Sequence, residues 1–469
     1  MQYTDLLFLF VFLPSLLAAY YICNPKYRNI ILIMFSLVFY SCGAPRYMGL
    51  LYISLVIDAG LGCLIVKAKA IKRARGVVRF LLGVGIVYNL GILVYYKYFN
   101  FIVANTNNFF GTDFSARDIL LPMGLSFYSF RAISYLVDSY SGKISKADPV
   151  VAVTYLSFFG QIQSGPIARY DTFCVLQKKT YPCFSDGVVR FMIGFSKKVL
   201  IADVLNNITT EVFDSTTAPG FSLAWLGAIC YSLQLYYDFS GYSDMAIGIC
   251  NMLGYDCPKN FDHPYMTGSI AEFWRRWHIT LGAWFRDYVY IPLGGSRVNK
   301  PRLYFNLFVV WILTGIWHGA GWNFIVWGLG YFILISIEKT LGWPEKIKNK
   351  LLRNFYRVFV LLIINFQWVL FRSADLQQGV DFIKSMCNIE FGGVMTRAVF
   401  LLRDYLAFII LALIFVFPIS EILEKLSEKR KCSNAIYHIF YFFVVTGGFI
   451  IALSFVVSGQ NNPFLYIGF

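Results

Sequence analysis

Apolar runs long enough to cross a bilayer recur from one end of this chain to the other, and they decide the solvent in which it folds. A membrane-crossing helix needs about 20 apolar residues. Residues 5–23, 29–44, 47–66, 77–99, 355–371, 399–419 and 435–457 all meet or approach that length. The chain is 58% hydrophobic and only 14% charged, with a mean hydropathy of +0.59, whereas a soluble domain carries about a quarter charged residues. One aqueous globule cannot hide so much apolar surface. The sequence therefore predicts an all-α, polytopic membrane protein, folded as a single domain over 1–469 with no internal repeat.

The net charge of +15 is a feature of nucleic-acid binders, but its distribution argues against that class. The basic residues fall in short clusters between apolar runs. Lys67, Lys69, Lys72, Arg73, Arg75 and Arg79 form one, Lys339, Lys346, Lys348, Lys350, Arg353 and Arg357 a second, and Lys425, Lys429, Arg430 and Lys431 a third. Cytoplasmic loops are enriched in this way, so both termini are expected outside, and anionic lipid rather than a polynucleotide is the expected partner. The first apolar run lacks a basic leader and a small-residue cleavage site, so it reads as a retained span. The ten cysteines (Cys23, Cys42, Cys63, Cys174, Cys183, Cys230, Cys250, Cys257, Cys387 and Cys432) form no CxxC pair. They read as small hydrophobes, and no metal site is expected.

Between 119 and 300 the apolar pattern is repeatedly broken, as at Leu121-Pro122-Met123-Gly124 and Gly160-Gln161-Ile162-Gln163-Ser164-Gly165-Pro166. Broken backbone survives at membrane depth only against protein or a watery cavity, so these pieces are expected to be re-entrant or buried.

Two of the four histidines, which are His263, His278, His318 and His438, lie in unusual surroundings. His278 ends the run Ser269-Ile270-Ala271-Glu272-Phe273-Trp274-Arg275-Arg276-Trp277-His278. Ser269 and Glu272 have capping-box spacing, and Glu272 and Arg276 are paired at i,i+4. The pattern predicts one helix from Ser269 to about Tyr290, with Trp274 and His278 on the same face. Its charges place it at the interface or against a polar funnel. An interfacial helix with arginines on headgroups accounts for Arg275, Arg276 and Arg286, but less well for His278. His318 lies in Thr314-Gly315-Ile316-Trp317-His318-Gly319-Ala320-Gly321-Trp322-Asn323, between apolar runs 303–316 and 324–337. At about 1.5 Å per residue each run reaches about 21 Å, short of a hydrocarbon core of about 30 Å. The expected form is a hairpin whose tip, with His318, stops inside the membrane. An ionisable residue there is a functional candidate, and burial favours a neutral imidazole that can accept a proton. A structural histidine tying helices together is the alternative.

The blocks Phe273-Trp274-Arg275-Arg276-Trp277-His278-Ile279-Thr280-Leu281, Trp284-Phe285-Arg286-Asp287-Tyr288, Tyr290-Ile291-Pro292-Leu293-Gly294-Gly295 and Trp317-His318-Gly319-Ala320 together resemble the membrane-bound O-acyltransferase (MBOAT) family, in its bacterial alginate O-acetyltransferase branch. So do Leu121–Phe127, Gly165-Pro166-Ile167, Lys197–Asp203, Tyr237–Asp244, Leu370-Phe371-Arg372 and the ending Pro463–Tyr466. The likeness runs in order from about residue 120 to the end.

The resemblance implies about eleven membrane helices, with re-entrant pieces around a funnel to a catalytic histidine. That histidine is His318, and His278 matches a second active-site position where some branches carry Asn or Asp. It further implies transfer of an acyl group, usually acetyl, from a cytoplasmic thioester to a hydroxyl destined for a cell-surface polysaccharide. The donor would be acetyl-CoA or an acyl carrier protein, with no permanently bound cofactor. An extracytoplasmic acyltransferase partner and a bacterial cytoplasmic membrane location belong to the same expectation. On this reading Trp274, Trp277, Trp317 and Trp322 wall the site. Arg275 and Arg286 suit donor phosphates, or equally lipid phosphate, and Asp287 and Asp238 belong to the substrate-binding set. His278 either orients the acceptor or donates to the developing oxyanion. Three other readings stay open: D-alanyl transfer to teichoic acid, whose branch lacks the Ile291–Gly295 wording, a lipid or acyl transporter that does no chemistry, and a scaffold that docks partner enzymes.

Overall fold

The computed structural model describes residues 1–71, 74–146, 148–175, 184–389, 395–419, 421–423 and 433–465. Lys72, Arg73, Cys183, Cys432, Tyr466 and the whole third basic cluster (Lys425, Lys429, Arg430, Lys431) lie outside them. Among the described residues every regular element is helical. By Cα packing the described residues divide into two compact units, one drawn from 1–191 and 245–258 and the other from 192–244 and 259–465.

The first unit opens with a π-helical turn, Phe8–Phe12, that leads into α1 (Leu13–Ile22). Next come α2 (Arg28–Gly43), α3 (Met48–Lys69) and α4 (Arg75–Leu93). These ranges follow the predicted apolar runs closely. A π turn at Val94–Tyr98 continues α4 into α5 (Phe99–Phe110), giving 36 helical residues from Arg75 to Phe110. That is about 54 Å of helix, longer than a bilayer core, so part of the polar segment 100–117 extends the helix instead of leaving it. Asparagines then fold the chain back. Asn107 Oδ1 accepts from Phe114 N at 2.9 Å, and Asn100 Oδ1 accepts from Arg117 N at 2.9 Å.

Helix α6 (Leu125–Ser141) is buried along almost its whole length. It sits against α3 and α4 where glycines permit: a Cβ on Gly62 would strike the Tyr135 ring, and one on Gly85 would strike Leu136. Small residues let membrane helices approach in this way. Gly124, at φ 70°, starts α6 against the carbonyl of Ile162, so the Leu121–Gly124 block meets the second broken segment directly. That segment comprises α7 (Pro149–Ser157), the single turn α8 (Phe159–Ile162) and α9 (Tyr170–Val175). Residues 154–168 are buried throughout. Their polar groups are answered from nearby: Phe159 N donates to Ser36 Oγ at 3.1 Å, Tyr3 Oη to Phe159 O at 3.0 Å, and Tyr155 Oη to Ala168 O at 3.0 Å. The expected burial of broken backbone against protein is what the structure has.

α10 (Phe184–Ser196) leads to a π-helical stretch, Lys197–Ala202, and then to α11 (Asp203–Phe213) and α12 (Phe221–Met252). Two short helices follow, α13 (Ile270–Arg276) and α14 (Ile279–Phe285), and then the pair α15 (Lys300–His318) and α16 (Trp322–Leu341). The remainder is α17 (Lys350–Arg372), α18 (Leu376–Cys387), α19 (Met395–Phe415) and α20 (Ser433–Val457).

Among the described residues six helical stretches are long and apolar enough to cross a membrane: 45–69, 75–110, 322–341, 350–372, 396–415 and 437–457. Their outward faces are strongly apolar. On α17, Leu351, Leu352, Phe355, Val358 and Phe359 are exposed while Tyr356, Val360, Ile364 and Trp368 are buried. Patches of this kind are costly in water and ordinary in lipid.

α15 and α16 form the predicted hairpin, but their length departs from the prediction. They hold 19 and 20 residues, about 28 and 30 Å of helix, so short arms do not hold the tip at mid-membrane. Lys300 and Arg302, expected as flanks of the 303–316 run, are inside α15, as are Trp317 and His318 beyond its end. Gly315 is needed for close packing: a Cβ there would sit 2.5 Å from Phe324 O, and one on Gly328 2.5 Å from Trp311 O. Gly328→Leu should therefore force the two helices apart, at roughly 1–3 kcal/mol or more. Detergent-extracted protein of this variant is expected to lose its monodisperse size-exclusion peak. Gly83→Leu, on a surface with open space around it, is expected to keep the wild-type profile.

Candidate active site

The helix predicted over 269–290 is broken. α13 starts as expected, with Ser269 Oγ accepting from Glu272 N at 3.0 Å and Glu272 paired to Arg276 at 2.7 Å. The carboxylate of Glu272 reaches Gly268 N rather than closing the box on Ser269 N. Two further N–H groups at this helix start, Ile270 and Ala271, donate to Glu338 at 2.7 and 2.9 Å. Glu338 is itself buried in α16 and also takes the Tyr356 hydroxyl, at 2.5 Å. A buried carboxylate satisfied by a helix N-terminus is favourable electrostatically.

At Trp277 the backbone turns extended, and at His278 it is left-handed, with φ 45° and ψ 51°. Trp274 and His278 therefore do not share a helical face. The break is closed by the loop before it. Ile279 N donates to Asn260 O at 2.9 Å, and Asp262 N to Arg276 O at 2.9 Å. Asn260 Oδ1 caps the new helix by accepting from Thr280 N at 3.2 Å and Thr280 Oγ1 at 2.8 Å. The same oxygen lies 3.2 Å from His278 Nδ1.

His278 is 1% exposed and His318 is 3% exposed. The structure brings them to one place through Trp317. The indole lies 6.1 Å from the His278 ring and 4.8 Å from the His318 ring, centroid to centroid. His278 also meets Phe239 of α12 edge-on at 4.7 Å. His318, the last residue of α15, meets Trp327 at 5.0 Å and Phe371 at 5.1 Å, both edge-on. Phe371 comes from the Leu370-Phe371-Arg372 block and Phe239 from the Tyr237–Asp244 block, so with the blocks that carry the two histidines four separated motifs meet at the imidazoles. His278 lies outside the six membrane-length helices, and burial pushes its pKa down to about 3, so its ring is neutral at physiological pH.

The other predicted site residues are distributed unevenly. Trp274 is half-buried and packs on Trp311, Tyr331 and Trp327 at 5.0, 4.8 and 5.6 Å, which connects it to His318 through Trp327. Trp277 is buried against Trp368 at 4.9 Å and Phe261 at 5.0 Å. Trp322 is 54% exposed. Arg275 is exposed, and Arg286 is exposed and paired with Asp287 at 2.8 Å. Asp238 is part of a buried ion cluster: Lys198 Nζ is 2.5 Å from Asp238 and 2.6 Å from Asp203. The second Asp238 oxygen accepts from Leu465 N at 3.0 Å, and Phe464 lies over the ammonium at 4.7 Å. Asp238 thus holds the Asn462–Leu465 segment.

Asn260, Trp327 and Glu338 were not singled out from sequence. Glu338 carried a usable signal, as an acid inside the apolar helix Trp322–Leu341. Asn260 carried none, because nothing local says that its amide reaches a helix 20 residues further on.

A polytopic helical membrane protein with two buried histidines walled by aromatic rings is the class that fold and site define together. Comparison with known proteins gives the family. The MBOAT, membrane-bound O-acyltransferase family signature matches residues 92–342, which include both histidines. The "Probable alginate O-acetylase AlgI" of Azotobacter vinelandii is 40% identical over 384 residues, covering 80% of this chain and 76% of that protein. The "Peptidoglycan O-acetyltransferase" of Helicobacter pylori is 33% identical over 423 residues, covering 82% and 79%. The "Teichoic acid D-alanyltransferase" of Bacillus subtilis is more distant, 28% identical over 270 residues, covering 54% and 68%. This chain belongs to the membrane-bound O-acyltransferase family and is a membrane O-acyltransferase.

The Lys198 cluster can be tested for stability. Lys198→Met leaves two buried carboxylates without their cation, a change of the kind that costs about 3–5 kcal/mol. The expected result is a large fall in Tm of the detergent-solubilised protein, with release of the Asn462–Leu465 segment seen as new proteolysis there.

Proposed function

We propose that the protein, acting as one transferase domain over 1–469, carries an acetyl group from a cytoplasmic thioester to a hydroxyl acceptor for O-acetylation of a cell-surface polysaccharide. The observation that carries the reading is the pair of buried imidazoles that both meet Trp317. The names of the two more similar relatives, an alginate O-acetylase and a peptidoglycan O-acetyltransferase, support acetyl as the group and polysaccharide as its destination. The lower identity and coverage of the D-alanyltransferase make that substrate the weaker choice.

In this reading His318 is the general base. Its Trp327, Phe371 and Trp317 surroundings exclude bulk water. As the acceptor oxygen attacks the thioester carbonyl, His318 takes the hydroxyl proton. The tetrahedral intermediate collapses, the C–S bond breaks and a thiolate leaves; a thiolate needs little acid assistance. His278 acts on the acceptor or on the oxyanion. The donor is acetyl-CoA or an acyl carrier protein thioester. Arg275 and Arg286 are the exposed cations on the α13–Tyr290 stretch suited to its phosphates, with Asp287 orienting Arg286. Half-buried Trp274 and buried Trp277 and Trp317 line the site. The Lys198 and Leu465 contacts of Asp238 favour an anchoring role for it over substrate contact. We place the protein in the bacterial cytoplasmic membrane, handing its acyl group to polymer through an extracytoplasmic acyltransferase.

In a strain lacking the gene, His318→Ala should leave surface polysaccharide without O-acetyl groups although the protein is present in the membrane at wild-type level. His278→Ala should reduce O-acetyl content by on the order of a hundredfold or more. Full O-acetyl content with His318→Ala would remove His318 from the chemistry. Purified wild-type protein that binds radiolabelled acetyl-CoA without cleaving or transferring the acetyl group would point to a carrier instead.

A further inference from the structure

The orientation of the Asn260 side chain is decided by a group that has no choice of role. The backbone N–H of Thr280 can only donate, so the Asn260 atom 3.2 Å from it must be the amide oxygen. The Thr280 hydroxyl meets that oxygen at 2.8 Å, and the amide nitrogen is directed to Ser243 Oγ at 3.2 Å. All of these groups are buried. His278 Nδ1 lies 3.2 Å from the same oxygen. Two lone pairs facing each other at that distance repel, so Nδ1 must carry a hydrogen. In a neutral imidazole the other nitrogen then holds the lone pair.

We infer that Asn260 is a positioning residue that locks His278 in the Nδ1–H tautomer and so presents Nε2 as a hydrogen-bond acceptor. The inference rests on the acyl-transfer reading only for its chemical consequence. An acceptor nitrogen can hold the acceptor hydroxyl by its hydrogen, aligning the oxygen lone pair for attack. It has no proton to give to a developing oxyanion. Of the two roles open to His278, the hydrogen-bond geometry selects orientation of the acceptor and rules out oxyanion donation. Supporting hydrogen bonds that fix the tautomer of a functional histidine are worth on the order of ten- to a hundredfold where they have been removed from metal sites, and more in catalytic triads.

The tautomer is directly observable. Full-length protein labelled with 15N-histidine, in lipid nanodiscs at neutral pH, gives signals from four histidines, and that of His278 is identified by its loss in His278→Asn. The expected spectrum has a protonated Nδ1 and an unprotonated Nε2 for His278. Asn260→Asp retains an oxygen acceptor and should keep a proton on Nδ1. Asn260→Leu should abolish the preference and lower O-acetyl content at least tenfold. Thr280→Val separates this role from simple capping of α14: it removes one bond to Asn260 yet should leave the tautomer unchanged. A wild-type spectrum with the proton on Nε2 overturns the inference whatever the activity, as does an unchanged tautomer in Asn260→Leu. If the tautomer is as expected but His318→Ala still acetylates fully, the positioning role stands and the acyl-transfer assignment of the site falls.

Discussion

Backbone N–H and C=O groups have no water to turn to inside a bilayer, and each break in a helix exposes several of them. In this chain the breaks that matter are closed by particular side chains. Ser36 answers Phe159 N where α7 gives way to α8. Glu338 answers two N–H groups at the start of α13, and Asn260 answers Thr280 N at the start of α14. Those last two closures make a non-helical junction possible at Trp277–His278. Without it His278 would follow the face of one continuous helix. With it the imidazole turns to meet Phe239 and Trp317.

The same constraint explains the polar content of the interior. The Lys198–Asp203–Asp238 cluster and Glu338 are buried charges, which are tolerated only when paired or richly hydrogen-bonded. Each ties together segments distant in sequence: Glu338 of α16 holds α13 and α17, and the lysine cluster holds the Asn462–Leu465 segment. The aromatic residues do complementary work around the histidines. A phenyl ring offers apolar bulk and no hydrogen-bonding group, so Phe371 and Phe239 pack on the imidazoles without competing for their nitrogens.

Much of this was legible in the sequence, for identifiable reasons. The outer helices were readable because lipid selects composition along a whole run, so α2, α3, α17, α19 and α20 fall close to their predicted ranges. The burial of residues 154–168 followed from Pro, Gly and Gln interrupting an apolar context. Both histidines stood out because ionisable residues are rare in such surroundings. The break at His278 was not legible, since the side chain that stabilises it lies on the loop before α13 and local periodicity favours a continuous helix. The apolar runs 303–316 and 324–337 understate the arms of the α15–α16 hairpin because the helices continue through polar and motif residues at their ends, Lys300–Arg302, Trp317–His318 and Glu338–Leu341, which a count of apolar residues leaves out. The exposure of Trp322 could not be separated from the burial of Trp317 by spacing alone.

The left-handed backbone at residue 278 has a consequence for what else could stand there. Among the described residues only His263 and His278 combine a side chain with positive φ. Apart from glycine, the residues that accept this conformation with least penalty are asparagine, aspartate and histidine. Those are the three letters that the family resemblance allows at this position. A valine or isoleucine would clash with its own main chain before any question of reactivity arose. The alphabet available to evolution here is narrowed first by a dihedral angle, and what remains is a choice among polar side chains able to exchange a hydrogen bond with a substrate.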